Sequence, residues 1–288
     1  MIIKKRYSIA DIVIELNIDR EIYEEDRYLL FWDKSNREAD TIVTFKGNNE
    51  IYFKESMNLV DDKSARFCEY IENDKFIRVF IDDISGERYA VLSKISEHKW
   101  ECSYLNKYKD RFESMNDLFN HIAFEKIMLE NNAFILHASL IDYKKTGILF
   151  SGVSGIGKST QAALWEKYAH ADILNGDKVI LKKTNNLLYG YGSPFAGSSG
   201  VFKNKKVPIK ALVFLEKTKN ECEINEISGA KAFKNMYSQM IINIWNNEFV
   251  EKVISYIYEI LGTIKIFKLS ARRDSSSVEC LKNKVFSS

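Results

Sequence analysis

Residues 152 to 159 read Gly152-Val153-Ser154-Gly155-Ile156-Gly157-Lys158-Ser159, which satisfies GxxxxGK[ST], the loop that wraps the phosphates of a nucleoside triphosphate. At ordinary Gly, Lys and Ser/Thr usage a chain of this size meets that pattern by chance on the order of one time in a hundred, so its flanks must agree with it. They do. Thr146-Gly147-Ile148-Leu149-Phe150-Ser151 is a short apolar run that predicts a buried strand, and Ser159 to Tyr168 carries good helix formers without Gly or Pro. Strand, loop and helix thus follow in the order a phosphate cradle requires, with the helix starting at the anion, where its unpaired N–H groups and dipole are favourable. Gly152, Val153, Ser154, Gly155, Ile156, Gly157 and Thr160 are the expected backbone contacts, Lys158 reaches the outer phosphates, and the Ser159 hydroxyl suits a phosphate-bound Mg²⁺. ATP and Mg²⁺ are therefore the expected ligands.

Composition limits what can surround this loop. The 288 residues are 45% hydrophobic and 28% charged, ordinary for one or two globular domains. A net charge of +2 supplies no general basic field, so nucleic acid and anionic membrane surfaces are not expected partners. No apolar run approaches the roughly 20 residues that cross a bilayer, and the start Met1-Ile2-Ile3-Lys4-Lys5-Arg6 has no signal-peptide core, which predicts a cytoplasmic protein. Cys68, Cys102, Cys222 and Cys280 are scattered, without CxxC or a nearby histidine, and predict packed, reduced thiols.

Two styles of sequence divide the chain. Residues 1–112 are expected to form a β-rich N-terminal subdomain, with strands at Ile12–Leu16, Tyr28–Trp32, Thr41–Phe45, Phe76–Ile81 and Arg88–Leu92 and a hairpin turn at Lys46-Gly47-Asn48-Asn49. Residues 113–288 are expected to form an α/β nucleotide domain entered through one amphipathic helix, Ser114–Leu129, with Ser114 as its cap. Its strands are read at Phe134–Ile141, Ile148–Ser151, Ile173–Leu181, Ala211–Leu215 and Ile264–Leu269, and two late helices at Ala230–Ile241 and Phe249–Leu261. The glycine-rich stretch Gly190–Gly200 fits a ligand lid and a plain surface connection equally well.

Two polar residues stand out inside apolar runs. Asp177, in Asn175-Gly176-Asp177-Lys178, is placed to complete a metal site, although a carboxylate there can also cap a turn. His137 interrupts the strand before the loop strand, where a hydrogen-bonded structural histidine is the usual occupant.

Leu136-His137-Ala138-Ser139-Leu140-Ile141-Asp142, the loop strand with its octet, and Gly176-Asp177-Lys178-Val179 together resemble the core of the HPr kinase/phosphorylase family and, more distantly, ATP-dependent phosphoenolpyruvate carboxykinase. The likeness covers roughly residues 134 to 216. It is closest to small HPr-kinase-like proteins found with peptide-modification genes, through LHAS, GxSGxGKSTQAALW, NGD and GSPF. The resemblance implies an HPr kinase/carboxykinase-like P-loop domain behind the β-rich front. It further implies transfer of the γ-phosphoryl group of ATP to a Ser/Thr hydroxyl of a peptide or protein, such as a ribosomal precursor peptide, and assembly of copies of the chain. In that chemistry Lys158 holds phosphate, Ser159 and Asp177 hold Mg²⁺, and His137 or Asp177 takes the proton, both divisions of labour fitting the residues. HPr kinases carry two adjacent aspartates, and here the first position is Gly176; the LExRGxG stretch of that family is also missing. Arg272 and Arg273 fit either a clamp on phosphate or carboxylate, or a solvated chain segment. The alternatives are a small-molecule kinase, a nucleotide-binding regulatory module without transfer chemistry, and a carboxykinase-like lyase.

Overall fold

A computed structural model describes residues 2–52, 58–61, 67–72, 75–195, 197–218, 222–243 and 246–286. They form two compact units, Met1–Ile127 and Met128–Ser288, each built on its own sheet system of mixed α/β character.

The first unit is one eight-stranded sheet. Its strands are β1 (Ile3–Ile9), β2 (Ile12–Ile18), β3 (Thr41–Asn48), β4 (Asn58–Asp61), β5 (Phe67–Glu72), β6 (Lys75–Ile81), β7 (Arg88–Lys94) and β8 (Lys99–Leu105), in the order β1-β2-β3-β8-β7-β6-β5-β4. Tyr28–Trp32 is not a strand. Asp26–Leu29 is a short helix, α1, because Tyr28 and Phe31 are fully buried while Leu29 and Leu30 between them are exposed, a spacing of three that no alternating strand satisfies. The hairpin at Lys46–Asn49 is likewise absent, since β3 runs on through Asn48 and pairs in parallel with β8 as far as Leu105. Gly47 serves close packing instead: a Cβ there would strike the Asn106 side chain and press on the Tyr104 ring.

The helix expected over Ser114–Leu129 is two, α2 (Met115–Asn120) and α3 (Phe124–Glu130). Ser114 does cap α2, accepting from the Asp117 amide at 3.1 Å while its own amide donates to the Asp117 carboxylate at 3.0 Å. The break between them turns His121 into a ring cluster with Phe112, Phe80 and Tyr89.

The second unit holds β9 (Ala133–Tyr143), β10 (Thr146–Ser151), β11 (Asp172–Asn175), β12 (Lys178–Thr184), β13 (Leu187–Tyr191), β14 (Lys206–Lys217), β15 (Glu223–Glu226) and β16 (Lys265–Ala271). Helices α4 (Lys158–Ala169), α5 (Gly229–Tyr237), α6 (Asn247–Leu261) and α7 (Ser275–Phe286) cover them. The long strands β9 and β14 each serve two sets of neighbours. The first part of β9 pairs with β12 and the rest with β10, while β14 begins against β13 and continues against β10 and β16. Strands β10, β14 and β16 run parallel, which sets Ser151, Lys217 and Ala271 at a common edge.

The run expected as one strand over Ile173–Leu181 is a single antiparallel pass along β9 interrupted at Gly176-Asp177, leaving β11 and β12 on either side. Ala138 donates its amide to the Asp177 carbonyl at 2.9 Å and Ser139 Oγ donates to the Gly176 carbonyl at 3.0 Å, so the corner is held by the strand it leaves. On one side of the sheets Leu136, Leu212, Met236, Val253 and Ile257 join a core beneath α5 and α6. On the other, Ile148, Phe150, Trp165, Val213 and Leu281 join a core beneath α4 and α7. Among the described residues no helix is long and apolar enough to cross a membrane.

Candidate phosphate-binding site

Strand β10 ends at Ser151 and α4 begins at Lys158, so the octet, whose last two residues open α4, lies at the carboxyl edge of the parallel strands, where open α/β sheets bind ligands. Gly155 and Gly157 hold φ of +71° and +117°, conformations that residues with a Cβ avoid. Nothing lies within 4 Å of a Cβ built on Gly155, so backbone conformation alone demands glycine there. Gly157 is the residue before α4 and offers no side chain to cap it, leaving the first-turn N–H groups directed at whatever sits in the loop.

Lys158 is 7% exposed, and its Nζ donates to the loop's own carbonyls, Gly152 O at 3.0 Å and Val153 O at 3.4 Å. Burial pushes its pKa below the usual lysine value, and the Asp177 charge opposes that shift. Across the loop, His137 Nε2 stands 3.0 Å from Asp177 Oδ1. Burial first, then the Lys158 charge, lowers the His137 pKa, while Asp177 raises it. The net direction is down, so the imidazole is neutral at pH 7 and its Nε2–H donates to Asp177.

His137, Ser154, Gly155, Gly157, Lys158, Ser159, Thr160, Gly176, Asp177 and Arg273 line one cavity of about 230 Å³. His137 lies 15 positions before the octet and Asp177 18 positions after it, and the fold brings them to the octet through β9 and the β11–β12 corner. A second cavity of about 530 Å³ adjoins it, sharing Gly157, Thr160 and Arg273, with Ile156, Leu215 and Leu269 among its walls. Arg272 lines only this larger cavity, and Arg273 lines both.

The glycine-rich stretch divides. Gly190 belongs to β13, and a Cβ there would strike Ile209 and Leu140, whereas Gly192 lies against the Lys203 and Leu174 carbonyls. These glycines permit packing. Gly197, at φ +56°, sits so near Asp177 that an added Cβ would come within 2.7 Å of its side chain. Ala196 lies outside the described residues.

Several residues that hold the site have no sequence signature. Ser151 Oγ donates to the His137 carbonyl at 2.8 Å. Gln161, buried on α4, donates to Ser277 on α7 at 3.1 Å, and Ser277 donates to the Asp274 carbonyl at 2.8 Å. Helix α7 is itself absent from the sequence reading, although Val278, Leu281 and Val285 carry three- and four-residue spacing. Cys102 is buried, and Cys68, Cys222 and Cys280 are half-buried.

No protein-family model matches the chain, and no curated protein matches it. Among solved structures it is similar to the HPr(Ser) kinase/phosphatase from Coxiella burnetii, at 16% identity over 52% of this chain and 92% of that one, with a TM-score of 0.30. A likeness of that size carries no weight for activity, which rests on the residues of the site itself.

Proposed function

We propose that this chain binds MgATP and transfers its γ-phosphoryl group to a Ser/Thr hydroxyl of a peptide or protein. The observation that carries the reading is the His137–Asp177 pair, 3.0 Å apart, in one cavity with Lys158, Ser159 and the loop amides. A phosphate cradle needs no proton acceptor to bind nucleotide; a group that moves phosphate to a hydroxyl does.

The larger cavity beside the cradle has the place and the apolar walls for a nucleoside, with the phosphate chain passing Gly157 and Thr160 into the loop. Lys158 then exchanges its loop carbonyls for phosphate oxygens, and Arg273 flanks the same path. The acceptor oxygen bonds to the γ-phosphorus as the bond to the β-bridging oxygen breaks. ADP leaves, and the hydroxyl proton passes to the His137–Asp177 pair. Positioning and charge neutralisation supply most of the acceleration.

Mg²⁺ fits the donors present. Among the described residues no three His, Cys, Asp or Glu side chains converge, but Ser159 and Asp177 offer hard oxygens beside the cradle, and Mg²⁺ is commonly held by one or two carboxylates with phosphate oxygens. When bound, it supplies neutralisation of the β- and γ-oxygens.

The test is incubation with MgATP and candidate peptides, read by mass spectrometry. A gain of one phosphoryl group on a Ser or Thr is the expected result. Gain on a small hydroxyl compound instead would make this a small-molecule kinase. Gly176, at the position of the first HPr kinase aspartate, favours a second reading, a nucleotide-binding module without transfer. Tight MgATP binding with no change to nucleotide or any acceptor would select that reading.

A further inference from the structure

Asn175 is fully buried, yet it is an amide in an apolar strand, and its hydrogen bonds explain why. Its Oδ1 accepts from the Asp177 and Lys178 amides, both at 2.9 Å. Its Nδ2 donates to the carbonyls of Ser193 at 3.0 Å and Phe195 at 3.3 Å. The orientation of the amide follows, since only an oxygen can face two backbone N–H groups and only a nitrogen two carbonyls. Ser193, also fully buried, closes the ring by donating its hydroxyl to the Lys178 carbonyl at 2.6 Å. The backbone on both sides of Asp177 is thus tied to the Ser193–Phe195 segment. Independently, Gly197 of the same stretch abuts the Asp177 side chain.

We propose that Asn175 is a positioning residue: with Ser193 it locks the corner that aims the Asp177 carboxylate at the metal and phosphate side of the cavity. This deepens the MgATP reading and rests on it. Neither residue lines the cavity, so neither touches nucleotide or ion, and their effect must pass through the backbone of residues 177 and 178. Released from Asn175, the Asp177 amide and the two loop carbonyls lose buried partners, and the corner can relax away from the cradle.

The experiment uses the full chain with a fluorescent ATP analogue, titrated first in EDTA and then with Mg²⁺ at fixed nucleotide, alongside thermal unfolding. For Asn175→Ala the expected result is unchanged metal-free binding and a Mg²⁺ midpoint raised by about 10- to 100-fold, the usual effect of removing an outer partner of a ligand. Ser193→Ala, which deletes one hydroxyl, should move the midpoint the same way by less, and it decides the matter if Asn175→Ala does not fold. A Mg²⁺ midpoint within about twofold of the parent would overturn the proposal. So would a loss of metal-free binding in step with melting temperature, which is the mark of a merely structural role. A parent protein that binds no nucleotide at all gives a different result and removes the MgATP reading itself.

Discussion

At the scale of single residues, the site is defined by Lys158, Asp177 and a neutral His137 that share one small cavity. Lys158 donates to two carbonyls of its own loop, which the proposed reaction replaces with phosphate oxygens. Lys158→Ala should therefore lower turnover by about 10²- to 10³-fold, the cost of losing one preorganised donor, measured as product mass per unit time. The pH response follows from His137. Its pKa lies below 6.5 because burial and Lys158 disfavour the imidazolium, so the proton-accepting form is present at pH 7 and is lost as pH falls through that lowered value. The rate should decline on the acid side only below about pH 6.5. His137→Ala should remove that limb, whereas Asp177→Asn should move it to still lower pH, since Asp177 is the group that raises the His137 pKa, and should also raise the Mg²⁺ requirement. A His137→Ala protein with full turnover would leave Asp177 alone as the proton acceptor.

At the scale of elements, β10, the glycine loop and α4 form the unit that the octet alone foretold, and the limits expected for them agree closely with Thr146–Ser151 and Lys158–Ala169. Helix α4 is anchored by Trp165, fully buried against Tyr143, Phe150 and Phe286. Trp165→Ala should cost about 3–5 kcal/mol of unfolding free energy, read from urea transitions, through lost burial and the cavity left behind. It should weaken nucleotide binding only as α4 loosens. Other elements were less legible. Tyr28–Trp32 has a strand's composition, but its two buried rings three apart make α1. The helix over Ser114–Leu129 is interrupted where His121 joins Phe80 and Tyr89 in an aromatic cluster, contacts between residues distant in the chain that periodicity cannot register.

At the scale of the whole molecule, the first unit carries a buried histidine that makes its stability fall in acid. In the first unit His121 Nδ1 donates to the Asp117 carbonyl at 2.7 Å and Nε2 accepts from the Tyr89 hydroxyl at 2.8 Å, an arrangement only the neutral ring can make. Burial pushes its pKa down to about 4, with Arg111 adding to the shift. The folded value is below the unfolded one, so the stabilisation is complete above pH 6.5 and is lost as pH falls from there towards 4, about 3 kcal/mol in all. Urea unfolding at pH 7 and pH 4.5 should show this loss, and His121→Gln should make it smaller. A His121→Gln protein as acid-sensitive as the parent would place the loss elsewhere.

The residues of the octet determined by themselves that a strand, a glycine-rich loop and a helix must follow one another, because the φ values at Gly155 and Gly157 and the charge of Lys158 are local properties. Local alternation and spacing likewise marked a β-rich first hundred residues and an α/β remainder. That Asp177 stands beside His137, that Asn175 and Ser193 hold it there, and that α7 braces α4 were decided only when β9 drew β10, β11 and β12 alongside it. Such contacts join residues far apart in the chain, and they arise from strand register and shared burial, which no local pattern encodes.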